Sequence, residues 1–152
     1  MPTELARWFR IELDAVRAAL DQVPSDLADI PWRTGGWTRK QIVGHLMDSA
    51  ANNRQRFVRA STEGRYTGPE YPQDAWVAAH GYTHHSWETL LRWWDVEHEI
   101  LVSIVGGIPE NRLENPCTVG EDAQVTLRFL IEDYVRHQKW HLEQISTGAT
   151  MN

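Results

Sequence analysis

One cysteine, Cys117, is the only thiol in a chain of 152 residues. A lone thiol cannot build an internal disulfide framework, and its scarcity suits the reducing cytoplasm. Apolar runs are short too, none approaching the roughly 20 residues that cross a bilayer. The opening segment, MPTELARWFR, lacks the charged head and apolar core of a signal peptide, so we expect a cytoplasmic protein with no membrane partner. Positive charge is sparse: 15 Lys and Arg against 21 Asp and Glu leave a net charge of -6. The basic residues form no stripe, and a phosphate backbone demands a concentrated one. We therefore expect no nucleic-acid partner. Neither a Gly-rich phosphate loop nor a GxSxG element occurs, and no internal repeat or low-complexity tract is present.

What remains is an ordinary globular composition with one excess. Hydrophobic residues make up 41% and charged residues 24%, both usual for a soluble domain. A chain of this length buries one proper core, so residues 1–152 are expected to form a single domain. The excess is tryptophan, present eight times. Tryptophan fills helix interfaces more often than it lines pockets. Trp87, Trp93 and Trp94 nevertheless bring more aromatic surface than one small core readily covers.

Helical periodicity dominates the pattern. Thr3 can cap a first helix reaching about Val23, with Leu5, Trp8, Ile11, Ala15, Val16 and Ala19 at helical spacing. Pro24 and Pro31 bracket a connection. Thr38-Arg39-Lys40-Gln41 then forms a capping box that opens a second helix. That helix carries Ile42, His45, Leu46, Ser49, Asn53 and Phe57 on one side, with Asn52 and Arg56 at its polar edge, and fades near Gly64. A long Gly- and Pro-rich loop follows, holding one short helix over Gln73 to His80. Ser86 caps a third long helix whose stripe is Leu91, Trp94, His98, Leu101 and Val105, and Gly106-Gly107 and Pro109 end it. NPCTVGEDAQVT predicts a short hairpin, and Thr126 opens a last helix to about Thr147. The expected fold is all-α: a four-helix bundle with a long loop after the second helix and a short hairpin before the last. Such bundles place metal sites between facing helices.

The last helix contains YVRHQKWHLEQI. Leu127, Leu130, Ile131, Tyr134, Gln138 and Ile145 define its inward face, and Arg128, Glu132, Arg136, Lys139 and Glu143 its solvated one. His137 and His141 lie about 40° apart around the axis, both on the edge of the inward face, so their imidazoles can share one space. His45 faces inward on the second helix. Three imidazoles with one vacant position suit a catalytic zinc or nickel, whereas a structural zinc asks for four ligands, often thiolates. The other histidines carry weaker signals. His98, between Trp94 and Leu101, reads as a hydrogen-bonded core residue, His84 and His85 as solvated loop residues, and His80 is no more informative. Cys117 shows no cue for thiolate activation and reads as inert.

Three stretches in order resemble the DinB/YfiT-like family of four-helix metal proteins. GGWTRKQIVGHLMDSAANNRQRF is similar to the family's second helix, YPQDAWV to a loop of the YfiT-like branch, and VTLRFLIEDYVRHQKWHLEQI to its final helix. Together they span about residues 32 to 146. The resemblance implies that the family's three metal histidines fall on His45, His137 and His141, the set reached from the helical faces. It also implies homodimers, a cytoplasmic location and one of two chemistries. Characterised members are thiol S-transferases and isomerases that use bacillithiol, mycothiol or glutathione; others are named metal-dependent hydrolases.

Two classes of function follow. In the first, a divalent metal, zinc or nickel before manganese or iron, activates a low-molecular-weight thiol for attack on an electrophilic small molecule, since a metal lowers the pKa of what it binds. Hydrolysis by a bound water is the variant of this reading. It would ask for a carboxylate base; Asp48 and Asp133 are nearest by spacing, and both project away from the expected centre. Gln73, Asp74 and Trp76 are within reach of the site from the Tyr71–Trp76 loop. In the second class the protein is a non-catalytic stress-associated module whose metal only ties helices together.

Overall fold

The computed structural model describes residues 2–147. Five α-helices and three short strands follow one another as α1 (Glu4–Asp21), α2 (Arg39–Glu63), β1 (Tyr66–Gly68), α3 (Gln73–His80), α4 (Trp87–Gly106), β2 (Pro116–Val119), β3 (Val125–Thr126) and α5 (Leu127–Ser146). The four long helices form the expected four-helix bundle, and α3 is the short helix expected in the loop. No helix among the described residues is long and apolar enough to cross a membrane.

Each long helix starts where a hydroxyl can satisfy its first free N–H groups. The Thr3, Ser86 and Thr126 side chains accept from the backbone N–H of Ala6, Thr89 and Phe129. At α2 both halves of the capping box form, with Thr38 accepting from Gln41 N–H and the Gln41 side chain accepting from Thr38 N–H. Gly64 ends α2 at φ 87°, a left-handed conformation that costs a residue without Cβ little.

Around the bundle the order is α1, α4, α2, α5, each helix packed on its two neighbours in that ring. Chain-consecutive α1 and α2 therefore lie diagonally, and α2 is clasped between α4 and α5. Phe9, Leu13, Leu20, Ile42, Leu46, Phe57, Leu101, Leu127 and Ile131 are fully buried along the shared axis, each contributing about 1.5–3 kcal/mol of burial. One expectation fails in α1. Its inward stripe is Leu5, Phe9, Leu13, Val16 and Leu20, while Ile11 is 67% exposed and Ala15 also faces solvent. Both series have helical spacing, and the helix turns the bulkier one inward. It also stops at Asp21, two residues short of Val23.

The hairpin before the last helix forms, as β2 and β3 paired antiparallel, and it gains a strand that the sequence did not announce. β1, inside the segment read as loop, pairs parallel with β2 in the register Tyr66↔Cys117 and Gly68↔Val119. This small sheet packs on α2 and α5. Between α1 and α2 the connection closes on itself, with Trp32 N–H donating to the Trp37 carbonyl and Lys40 N–H to that of Ala28. The Arg39 guanidinium is buried and donates to the carbonyls of Ile30, Pro31, Ile145 and Thr147, tying the start of α2 to the end of α5.

Candidate metal centre

The facing of α2 and α5 brings His45, His137 and His141 together. One nitrogen from each lies within 4.8 Å of the others, and His45 Nε2 stands 3.2 Å from His137 Nε2. Ring centroids are 4.6–5.0 Å apart and the planes are near perpendicular, at 75°, 75° and 86°. The rings meet edge-on rather than stacked. His45 and His141 are buried and His137 is half-buried.

Burial sets their charge. His45 is pushed down to about 3, first by desolvation and then by its neighbours His141 and His137. His137 is pushed down to about 4 by desolvation and by His141. His141 is also lowered by desolvation, opposed by its hydrogen bond to Gln144. At neutral pH all three are uncharged imidazoles with a lone pair to give. His141 Nδ1–H donates to Gln144 Oε1 at 2.7 Å, which leaves its Nε2 as the free base. This is the outer support a ligating histidine normally has.

These residues fit a divalent ion. Two nitrogens held about 2.0–2.1 Å from a tetrahedral ion stand about 3.3 Å apart, close to the observed His45–His137 separation. Three neutral imidazoles without a thiolate are the donor set of an open site with a position left for water or substrate. The Nδ1 atoms of His45 and His137 are buried and find no protein partner among the described residues.

The centre opens into a cavity of about 590 Å³ between α2, α5 and the sheet, with His45 and His137 at one end. Ser49, Asn53 and Arg56 continue the α2 wall, and Val119, Val125 and Leu130 supply an apolar wall opposite. Tyr71 lies 6.5 Å from His45, ring to ring. Its phenol is pushed up to about 12, chiefly by burial and then by Asp48, so it stays a protonated donor. On the other side Trp37 lies 5.0 Å from His45 and Trp140 lies 4.7 Å from His141.

The remaining candidates separate clearly. Gln73 lines the cavity, Trp76 packs on Tyr71 at 5.1 Å, and Asp74 is exposed outside the cavity lining. Asp48 does face away, taking a hydrogen bond from the Tyr82 hydroxyl, and burial raises its pKa. His80, uninformative in the sequence, closes α3, lies 3.3 Å from Asp48 and stacks on Tyr82. Asp133 is exposed, 3.5 Å from Arg136 Nε, and belongs to the cavity lining. His98 is a core residue as read, bonded to the Trp94 carbonyl and the Tyr134 hydroxyl. Cys117 is fully buried and its thiol is pushed up to about 11, which keeps it inert. Tyr71 and Trp37 escaped the sequence reading. Both come from connecting segments whose path no periodicity encodes.

Comparison with known proteins agrees with this architecture. Residues 9–145 match the DinB superfamily. A Bacillus mycoides protein provisionally named a metal-dependent hydrolase is 27% identical over 97% of this chain and 78% of its own. A Bacillus cereus protein of the same provisional name is 27% identical over 85% of this chain and 74% of its own. Among solved structures, YfiT from Bacillus subtilis, described as a probable metal-dependent hydrolase with an unusual four-helix bundle topology, superposes with a TM-score of 0.83. It is 25% identical, over 96% of this chain and 89% of its own. A mycothiol-dependent maleylpyruvate isomerase shares the fold with a TM-score of 0.77 at 16% identity, over 97% of this chain and 61% of its own.

Proposed function

This chain belongs to the DinB superfamily, and from that premise we propose that it is a metal-dependent enzyme that transfers a low-molecular-weight thiol to an electrophilic small molecule. His45, His137 and His141 are the proposed ligands of a divalent ion, zinc or nickel first. The observation that carries the reading is the meeting of three neutral, mutually perpendicular imidazoles at the end of a cavity large enough for a small molecule. A bound divalent ion would supply Lewis acidity there, making a thiol or a water more acidic.

The chain's own groups would do the rest. The walls of α2, α5 and the sheet would shield a bound substrate's reacting end from part of the bulk water, which would strengthen polar contacts there. Tyr71, protonated at neutral pH and 6.5 Å from His45 ring to ring, would steady negative charge developing on the electrophile. The thiol must come from outside, because Cys117 is buried and held as a thiol. The thiol-dependent neighbour of the same fold supports this choice of substrate class. A reducing cytoplasm is where such a thiol would be supplied.

Hydrolysis is the second reading, favoured by the provisional names of the relatives and by one observation, the place of Asp133 in the cavity lining. There its carboxylate would serve as general base. One experiment separates the two. The metal-loaded protein is assayed with a panel of small thiols against a chlorinated aromatic and a maleyl compound, and in parallel with activated esters and amides, before and after chelation. Thiol conjugation that chelation abolishes supports transfer. Chelator-sensitive hydrolysis that Asp133→Asn removes assigns hydrolysis instead. If neither activity is found and the helical circular dichroism collapses on chelation, the metal is structural.

A further inference from the structure

Beyond the Nδ1 atoms of the two histidines, Arg56 is the polar group of the cavity lining with a buried nitrogen that finds no partner among the described residues. It is 9% exposed, its Nε is buried without a partner among the described residues, and its Nη2 reaches only the Pro69 carbonyl at a long 3.4 Å. Four other arginines show the contrast. Arg17, Arg54 and Arg128 each hold a carboxylate within 3.0 Å, and buried Arg39 is sated by four carbonyls. Among the described residues no ion pair includes Arg56. A buried guanidinium nitrogen with no acceptor costs stability unless something binds it.

Its position says what that something is. His45, Ser49, Asn53 and Arg56 follow one another along a single face of α2, so they form a polar track down the cavity wall. Asn53 Nδ2 already donates to Ser49. At backbone level the track is about 16 Å long, and a helical side chain leans toward the helix N-terminus, so the guanidinium closes part of that gap. We propose that Arg56 anchors the carboxylate of an elongated ligand, roughly 10–15 Å long, whose opposite end lies at the histidine centre. That the far end is the reacting end rests on the functional reading above; the anion site at Arg56 stands on its own. A planar guanidinium matches a carboxylate edge to edge through two hydrogen bonds. Glu70, Asp122 and Asp133 also line the cavity, and that negative surround selects a singly charged carboxylate over a dianionic phosphate.

The test titrates the arginine directly. The Arg56 side-chain Nε–H resonance, identified by its loss in Arg56→Lys, is followed by 15N–1H NMR as sodium hexanoate, hexanamide or inorganic phosphate is added. The series is run on the protein as purified and again after chelation. Hexanoate is expected to shift the Arg56 signal saturably in both states while hexanamide does not. Arg56→Lys, which keeps the charge but loses the fork, is expected to weaken hexanoate binding about 10- to 100-fold, read from backbone amides of the α2 track. Equal response to hexanoate and hexanamide overturns the proposal, as does no response at tens of millimolar. Tighter binding of phosphate overturns the carboxylate class. A response that vanishes on chelation assigns the anion to the histidine centre. One that appears only in Glu70→Gln means that Glu70 is the arginine's occupant. Circular dichroism checks the variants, and the amide comparison in the unaltered protein decides the matter even if a variant misfolds. Failure at Arg56 leaves the metal content of the protein unchanged, so the two readings fall separately.

Discussion

Replacing His98 by Phe should cost stability at neutral pH and cost much less in mild acid. The buried network around His98 has one consistent direction. Its Nδ1–H donates to the Trp94 carbonyl at 2.7 Å and its Nε2 accepts the Tyr134 hydroxyl at 2.6 Å. The Tyr134 oxygen in turn accepts from Gln138 Nε2, and Gln138 Oε1 accepts from Trp94 Nε1. Phe keeps the ring that stacks 3.8 Å from Trp94 but deprives the Tyr134 hydroxyl of its acceptor. At neutral pH the loss is about 2–3 kcal/mol. Burial pushes the His98 pKa from 6.5 down to about 4, against smaller upward pulls from the Trp94 carbonyl and Asp95. Because the folded value lies below the unfolded one, the unfolded chain takes up its proton first as pH falls. The stability gained from neutral His98 is complete above about pH 6.5, declines through the window, and is gone by about pH 4. At roughly 1.4 kcal/mol per pH unit this comes to about 3 kcal/mol in all, of which about 2 is lost by pH 5. Urea unfolding followed by circular dichroism at about pH 7.5 and 5, with chelator throughout, measures both proteins. His45 and His137 shift the two alike, so only the difference matters. The gap should shrink to about 1 kcal/mol or less. A gap that is unchanged or wider at pH 5 would refute the neutral-histidine network.

Gly44 lies under the Tyr82 ring, where an added Cβ would come within 2.0 Å of a ring carbon. Gly44→Ala should therefore lower stability by about 1–3 kcal/mol despite Ala's better helix propensity. A Tm equal to or above that of the parent would count against this packing. On the outer face of α4, Trp93, Val96 and Ile100 are exposed at 39%, 58% and 46%. Such a face is commonly covered by a second copy in a twofold dimer. Light scattering at micromolar concentration should then give twice the 17.6 kDa chain mass, and replacing Val96 by Glu should return it to one. A monomer in the parent protein would remove the dimer.

What was legible in the sequence is what local chemistry determines. Thr3, Thr38 with Gln41, Ser86 and Thr126 announce helix starts because capping is settled within three residues of chain. His45, His137 and His141 could be placed on inward faces because a strong stripe fixes each helix's rotation. The α1 series holds at Leu5 and Val16 and fails at Ile11 and Ala15 for the opposite reason. Trp8 and Ile11 make a stripe as regular as Phe9, Leu13 and Leu20 do, and only packing against α4 and α5 chooses between them. β1 is three residues long, and its partner, Cys117, lies some fifty residues away, so no periodicity could announce it. Arg56 looked like a polar-edge residue; its burial comes from the sheet and the Pro69 segment folding over it.

The central claim is that His45, His137 and His141 bind one divalent ion, and metal analysis of protein purified from metal-replete medium tests it most directly. The parent and His98→Phe should each carry about one ion per chain. His141→Ala should lose most of it, since one of three imidazoles and its Gln144 support are gone. A parent ratio near zero, or equal metal content in His141→Ala and His98→Phe, would contradict the claim.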